Sequence, residues 1–403
     1  MDFDILVIGA GPAGLCLSRS LRHSGLSVAL VDPQDRDTLA EPAFDGREIA
    51  LTQRSARQLG DLGIWPHLGQ SHIAPLRDAL VMDGPPSGRQ ARMRIGHELS
   101  PCEELGFLVG NHHIRRAAWQ ASFSPDVAGS PPTLLHGRRV EHIHTDAEAA
   151  HATLDDGTVV RARLAVAADS RHSTTRRAMG IAADLHDYGR TMLVCQMTHD
   201  LPHHETAWEW FDHGQTLALL PMNPCETTGR PRSSVVLTLP SQAIDPLLML
   251  SDPAFGDALT RRFARQLGQM QLASSRHAYP LVGVWPHGLV GRRFAAIGDA
   301  AVGMHPVTAH GFNLGLHSVQ ALTEVITRAH ARQADIADPA GLARYERRHR
   351  SASRGLYFAT HAVASLYTRD QAPARLLRHA LVRLGDRIVP FKRAVAASLT
   401  GLA

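Results

Sequence analysis

The stretch DILVIGAGPAGLCLSRSLRHSGLSVALVD, residues 4–32, decides the fold of this 403-residue chain. It opens with an apolar run rich in β-branched residues, Ile5 to Ile8, and leucines at positions 15, 17 and 21 then recur with helical spacing. Between the two lies a turn of six residues that contains three glycines. A strand, a glycine turn and a helix in this order are typical of an α/β domain that binds a dinucleotide.

Each glycine of this G-x-G-x-x-G turn has its own physical reason. Gly9 permits the tight turn, Gly11 lets the backbone approach a pyrophosphate, and Gly14 lets the helix pack closely on the strand. The amino end of the helix, with Ala13 in its first turn, offers N–H groups and the positive end of its dipole to the phosphates. We therefore expect these four residues to contact the cofactor.

A second strand follows the helix and supports this interpretation. It runs from Ser27 to Val31 and ends at Asp32, eighteen residues after Gly14, where a carboxylate accepts hydrogen bonds from an adenosine ribose. A glycine-rich turn in some other α/β domain is the alternative. The motif does not distinguish FAD from NAD.

Composition and charge limit the classes of protein to which the chain can belong. With 44% hydrophobic residues and a formal net charge of +4, the chain is typical of a globular protein with a sizeable core. Lys392 is its only lysine, and we expect no nucleic-acid partner. The four cysteines form no C-x-x-C pair and the 25 histidines form no H-E-x-x-H array, so we expect a reducing compartment, no disulfide framework and no metal.

Further motifs are spaced along the whole chain. DGREIALTQRSARQLGDLGIW (45–65) carries Arg47 ahead of an amphipathic helix that starts near Thr52, and LVGNHHIRRAAW (108–119) carries Asn111. AVAADSRHSTTRRAMG (165–180) and GDAAVGMHPVTAHGFNLGLH (298–317) follow. With these motifs the chain resembles, over nearly its full length, the class A flavoprotein aromatic hydroxylases. It is most similar to the branch that hydroxylates ubiquinone precursors, and within that branch to the demethoxyubiquinol hydroxylases.

The resemblance implies FAD rather than NAD in the glycine turn. In the family an Asp-Gly motif and a Gly-Asp-Ala-Ala motif, the latter followed by P-x-x-G-Q-G-x-N, surround one FAD. Ser170 stands here where the second motif usually has glycine, and Ala309-His310 replaces Gly-Gln in the third. The resemblance also implies an α/β fold of glutathione-reductase type. In this expected fold, a Rossmann-like, doubly wound FAD-binding domain carries an inserted mixed β-sheet domain for the substrate and a C-terminal helical segment.

We place the domain boundaries accordingly. Residues 1–75, 98–182 and 270–332 form the discontinuous FAD-binding domain, residues 76–97 and 183–269 the substrate domain, and residues 333–403 the helical region. The residues expected to bind FAD are Gly9, Gly11, Ala13, Gly14, Asp32, Arg47, Asn111, Asp169, Asp299, Gly311, Phe312 and Asn313.

Several of these roles have alternatives. Asp299 is expected to hold the ribityl or pyrophosphate region through hydrogen bonds, and a helix cap is the other interpretation. Arg47 is a ribose or ribityl contact by the resemblance, or a solvated surface arginine. The catalytic candidates are Pro306, which would lie against the flavin where oxygen adds, and His310, either a general base or a structural loop histidine.

The implied reaction is hydroxylation of an aromatic ring. NAD(P)H reduces FAD, dioxygen gives a flavin hydroperoxide, and its distal oxygen passes to a polyprenylated ubiquinone precursor, with demethoxyubiquinol favoured. A hydroxylase of a small soluble aromatic metabolite is the nearest alternative, and a non-catalytic flavoprotein scaffold in a biosynthetic complex is the alternative of another class. The ring position, the electron donor and the oligomeric state stay open.

The C-terminal region mixes leucines with arginines at helical spacing. Apolar residues recur at positions 376, 377, 381, 384 and 388, and arginines at 375, 378, 383 and 387. Such a helix could lie on an anionic bilayer. The favoured alternative is packing on the FAD domain, on a partner subunit of a homo-oligomer or within a ubiquinone-biosynthetic assembly. Because the chain starts without the positive charge of a signal peptide and contains no apolar run of about 20 residues, we expect it in the cytoplasm, with peripheral contact to the inner membrane open.

Overall fold

The computed structural model describes residues 2–85, 90–212, 214–305, 310–368 and 371–402, without the side chains of residues 367, 368 and 372. Pro306 and Ala309 lie outside the described residues, so the predicted role of Pro306 beside the flavin stays a prediction. Strands and helices are numbered below in chain order.

A parallel sheet carries the predicted nucleotide site. In spatial order its parallel strands are β19 (Phe294–Ala296), β11 (Val159–Ala167), β1 (Asp2–Ile8), β2 (Val28–Asp32) and β8 (Thr133–His136). Antiparallel additions extend the sheet, namely β18 (Val290–Gly291) on β19 and the pair β10 (Ala150–Leu154) and β9 (Val140–Thr145) on β11. The first strand begins at Asp2, earlier than its apolar run, because its pairing with β11 continues to Asp2 opposite Arg161.

Helices flank this sheet, and their starts match local signals in the sequence. They are α1 (Pro12–Leu21), α2 (Arg36–Ala40), α3 (Gln53–Asp61), α4 (Asn111–Phe123), α5 (Thr174–Ala178) and α8 (Gly311–Ala331). Helix α3 starts where predicted because the Thr52 hydroxyl accepts a hydrogen bond from the Ser55 N–H at 3.1 Å. A small antiparallel sheet of β3 (Glu48–Thr52), β7 (Gly106–Gly110) and β4 (Ile73–Leu76) lies beside α3.

A second large sheet faces the first across the cavity described below. Its spatial order is β16 (Met270–Leu272), β12 (Ala183–His199), β15 (Arg232–Pro240), β14 (Gln215–Met222), β13 (Thr206–Asp212), β5 (Asp78–Asp83) and β6 (Ala91–Ile95), with β17 (His277–Pro286) also paired to β12. Its other face shares a buried core with α6 (Asp245–Leu248) and α7 (Asp252–Arg262). The sheet extends past the predicted boundary at residue 270, because the long β12 offers β16 and β17 an antiparallel edge.

The C-terminal region is helical, as predicted. Val382 and Ala396 are buried against the body of the protein, but several other apolar side chains of the region are exposed. Its helices are α9 (Pro339–Thr368), α10 (Ala372–Arg387) and α11 (Val389–Thr400). Leu376 on α10 is 73% exposed, and Leu377, Leu381 and Leu384 are exposed beside it. Arg378, expected on the basic face of this helix, is instead buried. Across the described ranges, none of the helices combines the length and the apolar character needed to span a bilayer.

Candidate active site

A cavity of about 490 Å³ lies between the carboxyl ends of the parallel strands and the second sheet. The second sheet contributes side chains from β12, β13, β14 and β15. Ten of the predicted cofactor residues line the cavity: Gly9, Gly11, Ala13, Asp32, Arg47, Asn111, Asp169, Asp299, Gly311 and Phe312. Three other predicted residues, Gly14, His310 and Asn313, are not among its lining residues.

The three glycines of the turn are needed for different reasons. Gly9 has a φ of 109°, and a Cβ there would lie 2.5 Å from the carbonyl oxygen of Ala168. At Gly14 a Cβ would lie 1.9 Å from the carbonyl oxygen of Gly9, so only glycine lets α1 approach β1 this closely. Gly11 lines the cavity, and nothing in the described structure lies within 4 Å of the position that its Cβ would take. The space in front of Gly11 therefore suits a ligand that approaches the backbone.

Asp32 holds the glycine turn in place at the end of β2. Its Oδ2 accepts a hydrogen bond from the Ala10 N–H at 2.7 Å, and its Oδ1 accepts one from the Gln34 N–H at 2.9 Å. The side chain is buried yet lines the cavity. Because each carboxylate oxygen accepts more than one hydrogen bond, Asp32 can still receive a ribose hydroxyl.

The side chains of Arg47 and Asn111 both bind the carboxylate of Asp45, a residue that the sequence analysis missed. Asp45 Oδ2 accepts hydrogen bonds from Arg47 Nη2 at 2.6 Å and from Asn111 Nδ2 at 2.7 Å. Burial acts to raise the pKa of the Asp45 carboxyl, but the hydrogen bonds and charge of Arg47, with Asn111, hold this pKa below its usual value. The Arg47 guanidinium also lies 5.7 Å from the ring centre of Tyr279. Asp45 thus positions two predicted cofactor residues, and the Asp-Gly turn just before Arg47 was its signal in the sequence.

Asp169 and Ser170 form the second family motif. Asp169 Oδ2 accepts hydrogen bonds from the backbone N–H and the hydroxyl of Thr175, at 3.2 and 2.9 Å. Its Oδ1 is buried and, within the described part of the chain, has no hydrogen-bond partner. Ser170 has a φ of 117°, a conformation that glycine adopts without strain and serine does not. Ser170 therefore has a backbone conformation suited to glycine, the residue that the motif usually has at this position.

Asp299 belongs to a short 3₁₀ turn, Gly298–Ala300, directly after β19. Its Oδ2 lies 3.1 Å from Nη2 of Arg171, which also donates to the carbonyl of Val282. The turn has Ile297 at its N-cap position, so Asp299 is not a cap. The ion pair offsets the charge of Asp299 where it lines the cavity.

The start of α8 divides the last predicted residues into two groups. Gly311 and Phe312 line the cavity, and the N–H groups of a first helical turn have no partner within their helix. The Asn313 side chain instead accepts from the Thr52 N–H at 3.1 Å and donates to the Ala50 carbonyl at 2.9 Å. It therefore fastens α8 to β3.

For His310 the structure differs from the expectation of a base beside the flavin. Its Nε2 lies 3.4 Å from the backbone oxygen of Ser398 in α11, and the ring lines a separate small cavity near Leu399. The imidazole thus contacts α11 from the N-cap position of α8. Its catalytic role stays a prediction without support from this position.

Two cavity carboxyls were also missed by the sequence analysis. Glu48 on β3 accepts a hydrogen bond from Gln196 Nε2 at 2.9 Å, and burial raises its pKa to about 7. Glu209 on β13 faces the cavity from the opposite side, and burial raises its pKa to about 8. Burial also lowers the pKa of His305, another residue that lines the cavity, to about 4. In the sequence, only the position of Glu209 between two tryptophans marked it as unusual.

The residues of the cavity fit FAD. The space in front of Gly11 suits a pyrophosphate, and the unpartnered Oδ1 of Asp169 suits a donor group on a ligand. Arg47 and Asn111, both bound to Asp45, line the same cavity, and the resemblance expects them to contact the ribityl chain. On the opposite side, apolar residues of the second sheet leave room for an aromatic ring.

Comparisons with known proteins agree with this site. Residues 2–358 match the model of the FAD binding domain family. The chain is 41% identical over 405 residues to ubiquinone hydroxylase UbiM of Neisseria meningitidis, and this match covers 99% of this chain and 84% of that protein. It is 34% identical over 390 residues to ubiquinone hydroxylase UbiL of Rhodospirillum rubrum, and this match covers 97% of this chain and 87% of that protein. Among solved structures, Pseudomonas aeruginosa PqsL in complex with 2-aminobenzoylacetate superimposes with a TM-score of 0.77 at 21% identity, covering 94% of this chain and all of that one.

Proposed function

The chain belongs to the FAD binding domain family and is an FAD-dependent monooxygenase, and from this premise we propose that it hydroxylates the aromatic ring of a polyprenylated ubiquinone precursor, demethoxyubiquinol. The observation that supports a substrate of the ubiquinone pathway most directly is the 41% identity, over nearly the whole chain, to a ubiquinone hydroxylase. FAD, reduced by NAD(P)H, supplies the electrons that activate dioxygen. The chain itself orients the ring and excludes water.

The second sheet suits a ring that carries an apolar chain. Met192, Val194 and Val236 line the cavity together with Leu220. Ala364, near the end of α9, lines it as well, and α10 with its exposed leucines follows a few residues later. A substrate that enters from the side of α9 and α10 would bring its ring to the flavin and keep its prenyl tail on apolar surface.

We further infer that α10 rests on an anionic bilayer, from which such a substrate is drawn. Leu377, Leu381, Leu384 and Ile388 follow helical spacing and are 41–56% exposed. Among the last 32 residues described, Asp386 is the sole acid in the sequence, and the Lys392 ammonium lies 3.2 Å from it. Arg383 and Arg387 are exposed beside the leucines. Apolar and basic side chains on one exposed face are the combination that binds anionic lipid surfaces.

The hydroxylase proposal is tested in a strain from which the gene is deleted. Lipid extraction with mass identification should show loss of ubiquinone and accumulation of a precursor that lacks one ring oxygen. The same chain carried on a plasmid should restore ubiquinone. Normal ubiquinone in the deletion strain would overturn the proposal and favour a soluble aromatic substrate. Restoration by a Gly11→Val, Asp299→Ala protein without FAD would instead favour a scaffold.

The membrane proposal is tested with vesicles. The purified protein should sediment with vesicles of phosphatidylglycerol and phosphatidylethanolamine, and less with phosphatidylcholine vesicles. Replacing Leu377, Leu381 and Leu384 together by glutamine should reduce binding to both, whereas Arg383→Glu with Arg387→Glu should reduce binding to the anionic vesicles alone. Analytical ultracentrifugation tests the opposing outcome. If the native protein does not bind vesicles and forms a stable dimer that the glutamine variant dissociates, a second copy of the chain covers this face.

A further inference from the structure

We propose that Glu209 is the catalytic base of this enzyme and accepts the proton of the phenolic hydroxyl of the substrate. The inference deepens the proposed function and rests on it, because it requires a phenol or hydroquinone in the cavity. Three observations carry it: the face of β13 on which Glu209 lies, the apolar surface around its carboxyl, and the lack of a hydrogen-bond donor to that carboxyl among the described residues.

The face of β13 is set by its tryptophans. Trp208 and Trp210 pack against the core that the second sheet shares with α6 and α7, and Trp210 Nε1 donates to the Gly84 carbonyl at 2.9 Å. Because side chains alternate along a strand, Glu209 and Phe211 point the other way and line the cavity. A shift of register that moved Glu209 out of the cavity would have to place two tryptophans in it.

The strands beside β13 surround Glu209 with apolar side chains. Glu209 pairs with Ala218 of β14, Ala218 with Val236 of β15, and Val236 with Val194 of β12. All four residues of this row line the cavity. Among the described residues of the second sheet that line it, Glu209 is the sole acid. A carboxyl at one end of an apolar row is suited to orient the polar edge of a ring whose body lies along that row.

Glu209 differs from every other acid that the described structure places at the cavity. Backbone N–H groups bind Asp32, Gln196 binds Glu48, Thr175 binds Asp169 and Arg171 binds Asp299. Throughout the described ranges, by contrast, nothing donates a hydrogen bond to the Glu209 carboxyl or forms an ion pair with it. The Glu209 side chain is half-buried and open to the cavity, so a hydrogen-bond donor that arrives with the substrate can reach its carboxyl.

The environment keeps the carboxyl poised between its two protonation states. Burial alone raises the pKa of Glu209 to about 8. The other charged or titratable groups that line the cavity are Asp32, Arg47, Glu48, Arg115, Asp169, Arg171, Arg190, Asp299 and His305. None of them contributes to this shift. A base is most effective when its pKa lies near the working pH.

The proton transfer balances without an additional reactant. The O–H bond of the phenol breaks, an O–H bond forms on a Glu209 carboxylate oxygen, and the electron pair stays on the phenolic oxygen. The ring becomes more electron-rich and therefore more reactive towards the oxygen that the flavin chemistry supplies. Glu209 then returns its proton to the ring oxygen, and the C–H bond at the hydroxylated carbon breaks with its proton passing to solvent, which restores both aromaticity and the carboxylate.

Glu209→Gln tests the inference, because glutamine keeps the size of the side chain and removes the titrating group. The probe is demethoxyubiquinol with two isoprene units, assayed between pH 6 and 9 with the FAD-loaded enzyme. For the native chain kcat/KM should rise with pH through about 8. The variant should hold as much FAD and lose roughly 100-fold in kcat/KM. In the variant, the pH at which kcat/KM rises should move up towards the pKa of the free phenol, about 10.

The control variant is Glu205→Gln, which removes a surface carboxyl four residues earlier in the chain. Glu205 lies 3.7 Å from Arg77 and is not among the residues that line the cavity. This variant should keep the native pH profile. Both variants should also be compared for the fraction of NAD(P)H consumed that appears as hydroxylated product, which only Glu209→Gln should lower.

The outcomes separate this inference from the proposed function. A native pH profile and native product yield in Glu209→Gln would overturn the role of Glu209 and leave the hydroxylase standing. A native enzyme that neither hydroxylates the probe nor restores ubiquinone would overturn the proposed function instead. If Glu209→Gln does not fold, Glu209→Asp takes its place, and this shorter base should be slower but keep the rise near pH 8. Loss of that rise in Glu209→Asp would overturn the inference.

Discussion

Nε of Arg378 donates a hydrogen bond to Oδ1 of Asp83 at 3.1 Å, and their side chains are 2% and 5% exposed. This pair joins α10 to the end of β5, where Asp83 lies beside the cavity residue Phe211. It therefore fixes the exposed apolar helix next to the wall of the active site.

Removing one partner of this pair should be much more harmful than replacing both. Asp83→Ala leaves a buried guanidinium without its carboxylate, and we expect a loss of about 3–5 kcal/mol in the free energy of unfolding. The double variant Asp83→Leu, Arg378→Met should lose far less, because apolar residues of similar size can replace a buried ion pair. Chemical denaturation measures both. Equal losses in the two variants would contradict the pairing.

The glycines of the turn should separate folding from cofactor binding. Gly14→Ala places a Cβ against the Gly9 carbonyl, so it should cost about 1–3 kcal/mol in stability. Gly11→Val meets open space, so it should fold with a loss of no more than about 1 kcal/mol and yet purify without FAD. Circular dichroism and flavin absorbance measure the two effects. A Gly11→Val protein that is fully loaded with FAD would contradict the assignment of the pyrophosphate site.

Asp45 should control FAD retention although it is not among the residues that line the cavity. Asp45→Asn removes the charge that aligns Arg47 and Asn111, and we expect FAD affinity to fall about tenfold, measured from flavin fluorescence on dilution. Since the pKa of Asp45 is lowered in the folded protein, its contribution to stability is present above the usual aspartate pKa of about 3.9 and is lost only as the pH falls towards the folded value. Asp37→Asn, on the exposed face of α2, is the control and should leave FAD binding unchanged. Equal retention in both variants would remove Asp45 from the site.

Much of the nucleotide half of the fold could be predicted because its signals are local. The glycine turn, the strands on either side of α1 and the cap at Thr52 each depend on residues that are close in sequence. The fold class was confirmed for the same reason, since three motifs in a fixed order mark the family. The domain boundaries stay a prediction.

The side-chain directions could not be predicted, because they depend on contacts between distant segments. Asn313 contacts a strand about 260 residues earlier, and His310 faces a helix near the end of the chain. Glu209 shows a similar limit, since alternation in TAWEWFD predicts two faces but not which of them meets the flavin domain. For α10, hydrophobic spacing indicates an apolar stripe and gives no information on whether protein, lipid or solvent covers it.

The backbone at Ser170 carries strain that a single substitution should relieve. At a φ of 117° a side chain costs about 1–3 kcal/mol, whereas glycine adopts this conformation freely. Ser170→Gly should therefore raise the free energy of unfolding by about 1 kcal/mol, after the larger entropy of glycine in the unfolded chain is deducted. Ser251→Gly is the matched control, because Ser251 has a φ of −62° and its side chain forms no cap bond, so glycine there should slightly destabilise the protein. If the midpoint of thermal unfolding shifts in the same direction in both variants, Ser170 carries no backbone strain, and serine fits this position of the motif as well as glycine does.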